Sequence, residues 1–273
     1  MKPLVIKLGG AALSNVEAAR NLAESIVLLQ QEGQSVVVVH GGGPMINRRL
    51  QEKGITWSFH EGQRITTPEM MGVIETALGE VNKLLCDVFT EFGLKVLGIP
   101  SSSKTMFQCR QMDARLGQVG EIIDVDATLV SEALEMGFVP VVAPIGSDLS
   151  GASYNINADW GASCLATNLE ARALIYATDQ RGILDINGLP YQSLTLEQLR
   201  ILMKKNGVTG GMLAKTRSIE KALLNGVKKV CVTHALEMTD LIKTRLGGTL
   251  CVELSRLESI MKLKENNYVK SFS

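Results

Sequence analysis

Val36-Val37-Val38-Val39-His40-Gly41-Gly42-Gly43-Pro44 contains four β-branched residues that lead into a turn of three glycines. Four successive valines are typical of a strand buried on both faces of a sheet. A helical pattern follows from Met45 to Lys53, so the glycines place bare backbone N–H groups at a helix N-terminus, where anions bind. The spacing matches neither a Walker A loop nor the Gly-x-Gly-x-x-Gly motif. A purely structural turn would rarely use three glycines, because each loses backbone entropy on folding, so the stretch predicts an anion-binding loop.

The rest of the chain alternates short apolar runs with segments long enough to be helices. This alternation predicts an α/β fold, an αβα three-layer sandwich with a mainly parallel central sheet. Residues 101–124 interrupt it with short polar pieces and glycines, which predict a β-hairpin. The predicted strands are Leu4–Leu8, Val36–His40, Lys95–Ile99, Val139–Ile145, Ala173–Ala177 and Val227–Thr233.

Capping residues mark the predicted helix ends. A Ser or Thr followed three residues later by Glu or Gln forms a capping box, and Thr-Pro supplies an N-cap and a first helical residue. Glycine directly after a helical run is a common C-terminal signal. The capping boxes are Ser14 with Glu17 and Thr195 with Gln198, the Thr-Pro pair is Thr67-Pro68, and the C-terminal glycines are Gly137 and Gly226.

Composition limits the classes of partner. The 273-residue chain carries 28 basic and 28 acidic side chains, and a net charge of zero argues against general attraction to nucleic acid or to a membrane surface. No apolar run approaches the roughly 18 residues that cross a bilayer, and Lys7 and Ser14 interrupt any signal-peptide core, so we expect a cytoplasmic protein. The five cysteines are scattered without a Cys-x-x-Cys pair, so we expect reduced thiols and no metal site.

A second glycine turn lies near the N-terminus, where Leu4-Val5-Ile6 leads through Lys7 and Leu8 to Gly9-Gly10. Glycine lets backbone N–H groups approach an anion closely, and the lysine adds a mobile positive charge, so phosphate is the natural ligand. A buried first strand with a snorkelling lysine would give the same residues.

Two later segments place charged and polar side chains near helix starts. Asn157 has the position of an N-cap, which puts Asp159 in the first turn, although an acidic residue there also simply complements the helix dipole. Asn155 lies just before this helix with its amide free to bind a ligand. In the helix opened by residues 209–211, Lys215 falls on the apolar face, so it needs an anionic partner or must snorkel to solvent.

Together these residues suit phosphoryl transfer. The transferring group carries diffuse negative charge, so cations and backbone N–H donors stabilise it, and a carboxylate holds the cations in place. The protein needs no nucleophile of its own, because the acceptor attacks with its own oxygen. The predicted catalytic residues are Lys7, Asp159 and Lys215.

Five ordered motifs resemble the amino acid kinase family over residues 2–252. The resemblance implies the amino acid kinase fold, ATP as co-substrate, and Mg²⁺ that bridges the ATP phosphates with few protein ligands. It points to the branch that phosphorylates the γ-carboxylate of N-acetyl-L-glutamate to N-acetyl-L-glutamyl 5-phosphate in arginine biosynthesis. The motifs are Lys7-Leu8-Gly9-Gly10, His40-Gly41-Gly42-Gly43-Pro44, Gly62-Gln63-Arg64-Ile65-Thr66, Asn155-Ile156-Asn157-Ala158-Asp159, and Gly210-Gly211-Met212 with Lys215.

The resemblance also implies a role for each matching residue. Lys7 and Lys215 would stabilise the migrating phosphoryl group, and Asp159 would position both lysines. The acceptor would be bound by the backbone of Gly42 and Gly43 and by the side chains of Arg64 and Asn155. Arginine suits a carboxylate because its planar fork pairs with both oxygens. The implied nucleotide-binding residues are Gly9, Gly10, Thr178, Asp179, Gly182, Ile183, Leu184, Val208, Thr209, Gly210 and Gly211.

A Gly- and Ser-rich segment at residues 148–154 predicts a boundary between two lobes. By resemblance, residues 1–150 would bind the acceptor and dimerise, residues 151–253 would bind ATP, and residues 254–273 form a tail of unassigned role. The segment 67–92 is rich in Met, Ile and Leu, which favours a homodimer contact, although a buried core helix would look the same. Because the first strand begins almost at once, the helix through which arginine-inhibited relatives form hexamers is missing, so we expect a homodimer insensitive to arginine.

Two departures from the family pattern leave alternatives open. Residues 100–104, Pro-Ser-Ser-Ser-Lys, replace a glycine-rich turn that is usual in relatives, and the tail after Val252 is additional. The first alternative is a sibling kinase for another acylated acidic amino acid, such as an aminoadipate derivative. The second is a non-catalytic regulator that binds nucleotide or amino acid on the same fold. The intact Lys7, Asp159 and Lys215 argue against a regulator, because binding alone gains nothing from charge aimed at a moving phosphoryl group.

Overall fold

The described residues of the computed structural model, 2–10, 13, 16–99, 106–205, 207–239 and 248–252, form strands and helices in alternation. The helices are α1 (Val16–Gln31), α2 (Gly43–Glu52), α3 (Pro68–Glu91), α4 (Thr128–Glu135), α5 (Ala158–Asn168), α6 (Leu196–Lys204) and α7 (Gly210–Leu224). The strands are β1 (Leu4–Leu8), β2 (Val36–His40), β3 (Phe59–His60), β4 (Gln63–Arg64), β5 (Val96–Ile99), β6 (Phe107–Gln111), β7 (Gly120–Val125), β8 (Val139–Val142), β9 (Ile145–Ser147), β10 (Ser153–Asn155), β11 (Ala173–Thr178), β12 (Ser193–Thr195), β13 (Val230–His234) and β14 (Thr249–Val252).

Eight of these strands form the central sheet in the order β12-β14-β13-β11-β1-β2-β8-β5. Every neighbouring pair is parallel except β13 with β14, so β12 and β14 run opposite to the other six strands. The predicted mainly parallel sheet is confirmed. Its strands come from both predicted lobes, and the lobe boundary at residues 148–154 stays a prediction.

Helices cover both faces of the sheet. Successive side chains of each strand point to opposite faces, so each strand contributes to two apolar layers. One face carries Val5 and Val37 and packs on α4, α5, α6 and α7, while the other carries Leu4 and Ile6 and packs on α1 and α3. The three-layer α/β sandwich predicted from the sequence is confirmed. Lys7 belongs to the same face as Val5, the face that receives α5 and α7.

Local sequence signals fix most helix ends. The Thr67 side chain accepts a hydrogen bond from Met70 N at the start of α3, and Thr195 and Gln198 form the predicted capping box of α6. Gly137 and Gly226 follow α4 and α7 with φ of 78° and 95°. Ser14 lies outside the described residues, so its capping box stays a prediction.

The predicted hairpin is present as the antiparallel pair β6 and β7, which joins β9 and β10 in a second, four-stranded sheet. The predicted strand Val139–Ile145 is wrong in its length. The strand ends at Val142, and the chain turns at Ala143 and Pro144 before β9 begins at Ile145. Residues 100–105 and 253–273, which include both departures from the family pattern, lie outside the described residues.

Helix α3 packs its apolar residues inside the chain. Met70, Ile74, Leu78 and Leu85 are all buried, whereas Leu84 is 37% exposed. Core packing therefore explains why α3 is rich in Met, Ile and Leu. A dimer contact along this helix stays a prediction. Among the described residues no helix combines the length and apolarity required to cross a bilayer.

Candidate active site

Two lysines and one aspartate meet at the carboxyl end of the central sheet. Lys7 comes from β1, Asp159 from the first turn of α5 and Lys215 from the second turn of α7. Lys7 Nζ lies 2.8 Å from Asp159 Oδ1, and Lys215 Nζ lies 3.1 and 3.0 Å from Oδ1 and Oδ2. All three residues are buried, so neither lysine snorkels, and the anionic partner that Lys215 requires is Asp159.

The electrostatics of this cluster favour its charged form. Burial alone would raise the pKa of Asp159, but the positive charges of Lys215 and Lys7 outweigh it and hold that pKa well below its usual range. Burial lowers the pKa of Lys215, and the charge of Asp159 opposes this effect. One carboxylate faces two ammonium groups, so the formal charge of the cluster is positive and an additional anion is favoured beside it.

The two glycine turns pack directly against each other. A Cβ atom at Gly41 would lie 2.8 Å from Gly10 N, and one at Gly10 would lie 2.9 Å from Gly43 N. Close packing therefore requires glycine at positions 10 and 41. A Cβ atom at Gly43 would meet no neighbour within 4 Å, yet Gly43 lines a cavity at the N-terminus of α2, where a ligand approaches the backbone.

Two cavities open on either side of the lysine cluster. They are named after the ligands that the sequence resemblance implies: the larger, of about 550 Å³, is the nucleotide cavity, and the smaller, of about 390 Å³, is the acceptor cavity. Both are lined by Lys7, Gly10, Asp159 and Gly211. The cluster therefore stands at the junction between them.

The nucleotide cavity includes most of the residues that the resemblance assigned to ATP. Ile183 is instead fully buried in the core, and Gly182 packs against Thr249, where a Cβ atom would lie 2.5 Å from Oγ1. Gly182, Ile183 and Gly210 do not line the cavity. The predicted residues that do are Gly9, Gly10, Thr178, Asp179, Leu184, Val208, Thr209 and Gly211, and the lining also includes Gln180, Asp185, Gly207 and Met212.

The acceptor cavity is lined by all four predicted acceptor residues, Gly42, Gly43, Arg64 and Asn155. The Asn155 amide is less free than the sequence suggested, because its Nδ2 donates a hydrogen bond to Thr66 Oγ1 at 3.1 Å. That contact ties the start of α5 to the segment after β4. The sequence could not indicate it, since the two residues are 89 positions apart.

Arg64 is buried with an incomplete set of hydrogen bonds. Its Nη2 donates to Asn47 Oδ1 at 2.5 Å, whereas its Nη1 is buried and has no partner. Burial lowers the pKa of Arg64 to about 10, so the guanidinium stays charged at neutral pH. An unpaired buried donor on a positive group is a strong reason for a carboxylate or another anion to bind there.

Two aromatic rings support Arg64, and sequence reasoning missed both. The Arg64 Cζ atom lies 4.7 Å from the centroid of Phe59 and 5.8 Å from that of Trp57. Such stacking fixes the plane of the guanidinium and favours its charged form. The alternation of Trp57 and Phe59 next to the Arg64 motif was the available signal.

Within the described part of the chain, no group of three or more His, Cys, Asp or Glu side chains could hold a metal ion. Mg²⁺ in kinases is held by substrate phosphates, waters and one or two carboxylates, so such a group is not required. Asp179 and Asp185 line the nucleotide cavity, which fits this mode of binding.

Comparison with known proteins identifies the family. The sequence model of the amino acid kinase family matches residues 2–234 of the chain. The chain belongs to the amino acid kinase family. It is 35% identical to acetylglutamate kinase of Aquifex aeolicus, with 92% of each chain covered, and 38% identical to acetylglutamate kinase of Chromobacterium violaceum, with 90% of each covered.

Solved structures agree with the amino acid kinase fold. The crystal structure of smu.665 from Streptococcus mutans UA159 superposes with a TM-score of 0.81 at 29% identity, covering 91% of this chain and 98% of that one. In an amino acid kinase, the transferred phosphoryl group passes between two bound substrates.

Proposed function

We propose that this amino acid kinase transfers the γ-phosphoryl group of ATP to the γ-carboxylate of N-acetyl-L-glutamate, giving N-acetyl-L-glutamyl 5-phosphate for arginine biosynthesis. The observation that carries the proposal is the meeting of Lys7 and Lys215 on Asp159 where the two cavities join. The curated relatives named acetylglutamate kinase, which match about nine tenths of the chain, support this acceptor.

The proposed chemistry follows from the charges at the junction. A carboxylate oxygen of the acceptor attacks the γ-phosphorus in line, a new O–P bond forms, and the bond to the β,γ-bridging oxygen breaks to release ADP. The acceptor is already ionised at neutral pH, so no general base is needed. Lys7 and Lys215 stabilise the negative charge on the transferring oxygens, and Asp159 keeps both ammonium groups in place. Asp179 and Asp185 would hold Mg²⁺ together with the ATP phosphates, and the ion would supply further charge neutralisation.

The two ends of the acceptor have separate partners in this proposal. Arg64 Nη1, which lacks a hydrogen-bond partner, pairs with the α-carboxylate, together with the side chain of Asn155. The backbone of Gly42 and Gly43, at the N-terminus of α2, receives the γ-carboxylate. The backbone N–H groups of Gly10 and Gly211 face the nucleotide phosphates, whereas that of Gly9 donates to Ala177 O at 2.7 Å.

A coupled assay of ADP release tests the reaction and the acceptor together. With ATP and Mg²⁺, ADP release should depend on N-acetyl-L-glutamate and exceed the rate without acceptor many-fold. N-acetyl-L-aspartate and an N-acylated aminoadipate are the matched acceptors, which differ from the substrate in chain length. Faster turnover with the aminoadipate derivative would show that this compound, and not N-acetyl-L-glutamate, is the preferred acceptor. If no acceptor increased ADP release, the kinase assignment would be refuted.

We also propose that the chain is a homodimer and works in the cytoplasm, where ATP is available. Exposed Leu84 on α3 supports a contact along that helix, although most of the apolar side chains of α3 are buried. Light scattering after size exclusion should give about twice the 29.5 kDa mass of one chain. A mass of one chain would refute the dimer.

A further inference from the structure

Tyr176 lies under the lysine cluster and is not part of any motif in the sequence. It is in β11 and is fully buried. Tyr176 pairs in register with Lys7 of β1, and in parallel neighbouring strands such partners point to the same face of the sheet. Its side chain is therefore on the face that receives α5 and α7, the helices that carry Asp159 and Lys215.

Tyr176 contacts both of those residues. The Lys215 Nζ atom lies 4.8 Å from the centroid of the Tyr176 ring, within the range of a cation–π interaction. The Tyr176 hydroxyl donates a hydrogen bond to the backbone carbonyl oxygen of Asp159 at 3.2 Å. One rigid side chain with only two rotatable bonds thus holds the two members of an ion pair that come from different helices.

We propose that Tyr176 is a positioning residue for phosphoryl transfer, which holds Lys215 through its ring and Asp159 through its hydroxyl group. The proposal rests on the proposed function, because it assumes that Lys215 acts on the transferring phosphoryl group. It goes beyond that function by assigning a residue that makes no contact with either cavity.

The charges around Lys215 explain why an aromatic ring is useful there. The charged groups that face Lys215 are Asp159 from α5, Lys7 from β1 and Asp179 from the segment after β11. Asp159 is shared with Lys7, so Lys215 has only part of a counter-charge in a buried position. The negative face of the Tyr176 ring adds favourable interaction with the ammonium and no net charge that would repel ATP.

Three substitutions separate the ring from the hydroxyl group. Tyr176→Phe keeps the ring and loses the hydrogen bond, so kcat should fall by about two- to ten-fold, the equivalent of one modest hydrogen bond. Tyr176→Leu loses both contacts, so kcat should fall by about ten-fold or more beyond the Phe variant, with the KM values for ATP and acceptor within about two-fold. Phe89→Leu, a buried aromatic change in the opposite layer, is the matched control and should lower stability without changing kcat.

A series of fluorinated phenylalanines at position 176 isolates the electrostatic part of the contact between the ring and Lys215. Phenylalanines with one, two, three and five ring fluorines at position 176 keep the shape of the ring while they weaken its negative face. We expect log kcat to fall steadily along the series, starting from Tyr176→Phe. The pKa of Lys215, followed by NMR of isotope-labelled lysine, should fall by about one unit from the Phe variant to the pentafluoro variant.

The two readouts distinguish failure of this proposal from failure of the proposed function. If N-acetyl-L-glutamate is not a substrate, wild-type protein shows no turnover, but the Lys215 pKa still responds to the ring. If kcat and the Lys215 pKa are constant along the fluorinated series while urea unfolding shows folded protein, Tyr176 only fills the core and the proposal is wrong. This test does not depend on whether Tyr176→Leu folds, since every member of the fluorinated series retains an aromatic ring.

Discussion

At the scale of single residues, Lys215 is a buried charge for which we propose a catalytic role. Its ammonium group is held in the interior by Asp159 and by the Tyr176 ring, and it lines the nucleotide cavity. Burial of an ammonium is costly, so a lysine in this position has a use that a hydrophobic residue could not supply.

Replacement of Lys215 by alanine tests that use. Lys215→Ala should lower kcat by about 10²- to 10³-fold, the usual loss when one stabilising donor is removed from a charged transition state. The Kd of N-acetyl-L-glutamate, measured by calorimetry, should stay within about two-fold, because Lys215 does not line the acceptor cavity. Lys221→Ala, an exposed lysine on the same helix, is the control and should retain full activity. Equal loss of binding and turnover would favour the non-catalytic regulator.

His40 gives the chain a predictable pH dependence of stability. Its Nδ1 lies 2.8 Å from Gly41 O, its ring is fully buried, and burial lowers its pKa from 6.5 to about 4. Between pH 6.5 and 4 the unfolded chain therefore binds a proton at His40 that the folded chain does not. Stability falls as the pH falls through this window, by about 3 kcal/mol in total from this residue.

Urea unfolding at a series of pH values measures the effect of His40. The difference in unfolding free energy between wild type and His40→Gln should change by about 3 kcal/mol from pH 7 to pH 4, because carboxylates titrate equally in both proteins. Parallel curves for the two proteins would show that His40 is already protonated in the fold or that its burial is lost before it titrates.

At the scale of elements, α3 holds three strand ends through Asn82. The Nδ2 atom of Asn82 lies 2.8 Å from Val141 O in β8, 3.4 Å from Ile99 O in β5 and 3.2 Å from His40 Nε2 in β2. These strands are neighbours in the sheet, and the glycine turn of the acceptor cavity begins directly after His40. One buried amide therefore links the position of α3 to the start of that turn.

Asn82→Leu should weaken both the fold and the acceptor site. The unfolding free energy should fall by about 2–4 kcal/mol, because the Val141 carbonyl and the His40 ring lose their partner in a dry environment. The KM for N-acetyl-L-glutamate should rise more than the KM for ATP. Val88→Ala, a buried change further along the same helix, is the comparison, and an equal loss in both variants would contradict a special role for the amide.

Helix α3 shows why local features, such as helix caps, could be predicted from the sequence and long-range hydrogen bonds could not. The start of α3 at Thr67-Pro68 depends on adjacent residues, and so do the caps at Asn157 and Thr195. The hydrogen bonds of Asn82 depend on strands that are 17 and 59 positions away, and no local pattern encodes them. The burial of Ile183 likewise involves a distant residue, because its backbone N–H donates to Thr249 Oγ1 66 positions away, and its nucleotide contact stays a prediction.

At the scale of the whole molecule, strand order brings the site together. Lys7 and Lys215 are 208 positions apart, and they meet because β1 lies at the centre of a parallel sheet whose carboxyl ends share one edge. The lysines and Asp159 could be singled out in the sequence by their glycine turns and helix starts. The alternation of Trp57 and Phe59 beside the Arg64 motif was a further signal. The Tyr176 ring could not be singled out, because an aromatic residue in an apolar strand usually indicates core packing.

The two cavities should behave as separable binding sites of one folded chain. At a hundred times its Kd, either a non-hydrolysable ATP analogue or N-acetyl-L-glutamate should stabilise wild-type protein by about 2.7 kcal/mol, which raises the melting temperature by about 5–10 °C. Arg64→Ala should abolish the shift caused by the acceptor at the same concentration and keep the shift caused by the nucleotide, because Arg64 lines only the acceptor cavity. Arg48→Ala, an exposed arginine that pairs with Glu52 on α2, is the control and should keep both shifts. Loss of both shifts in Arg64→Ala, in protein that still unfolds cooperatively, would mean that the nucleotide and the acceptor share a single site.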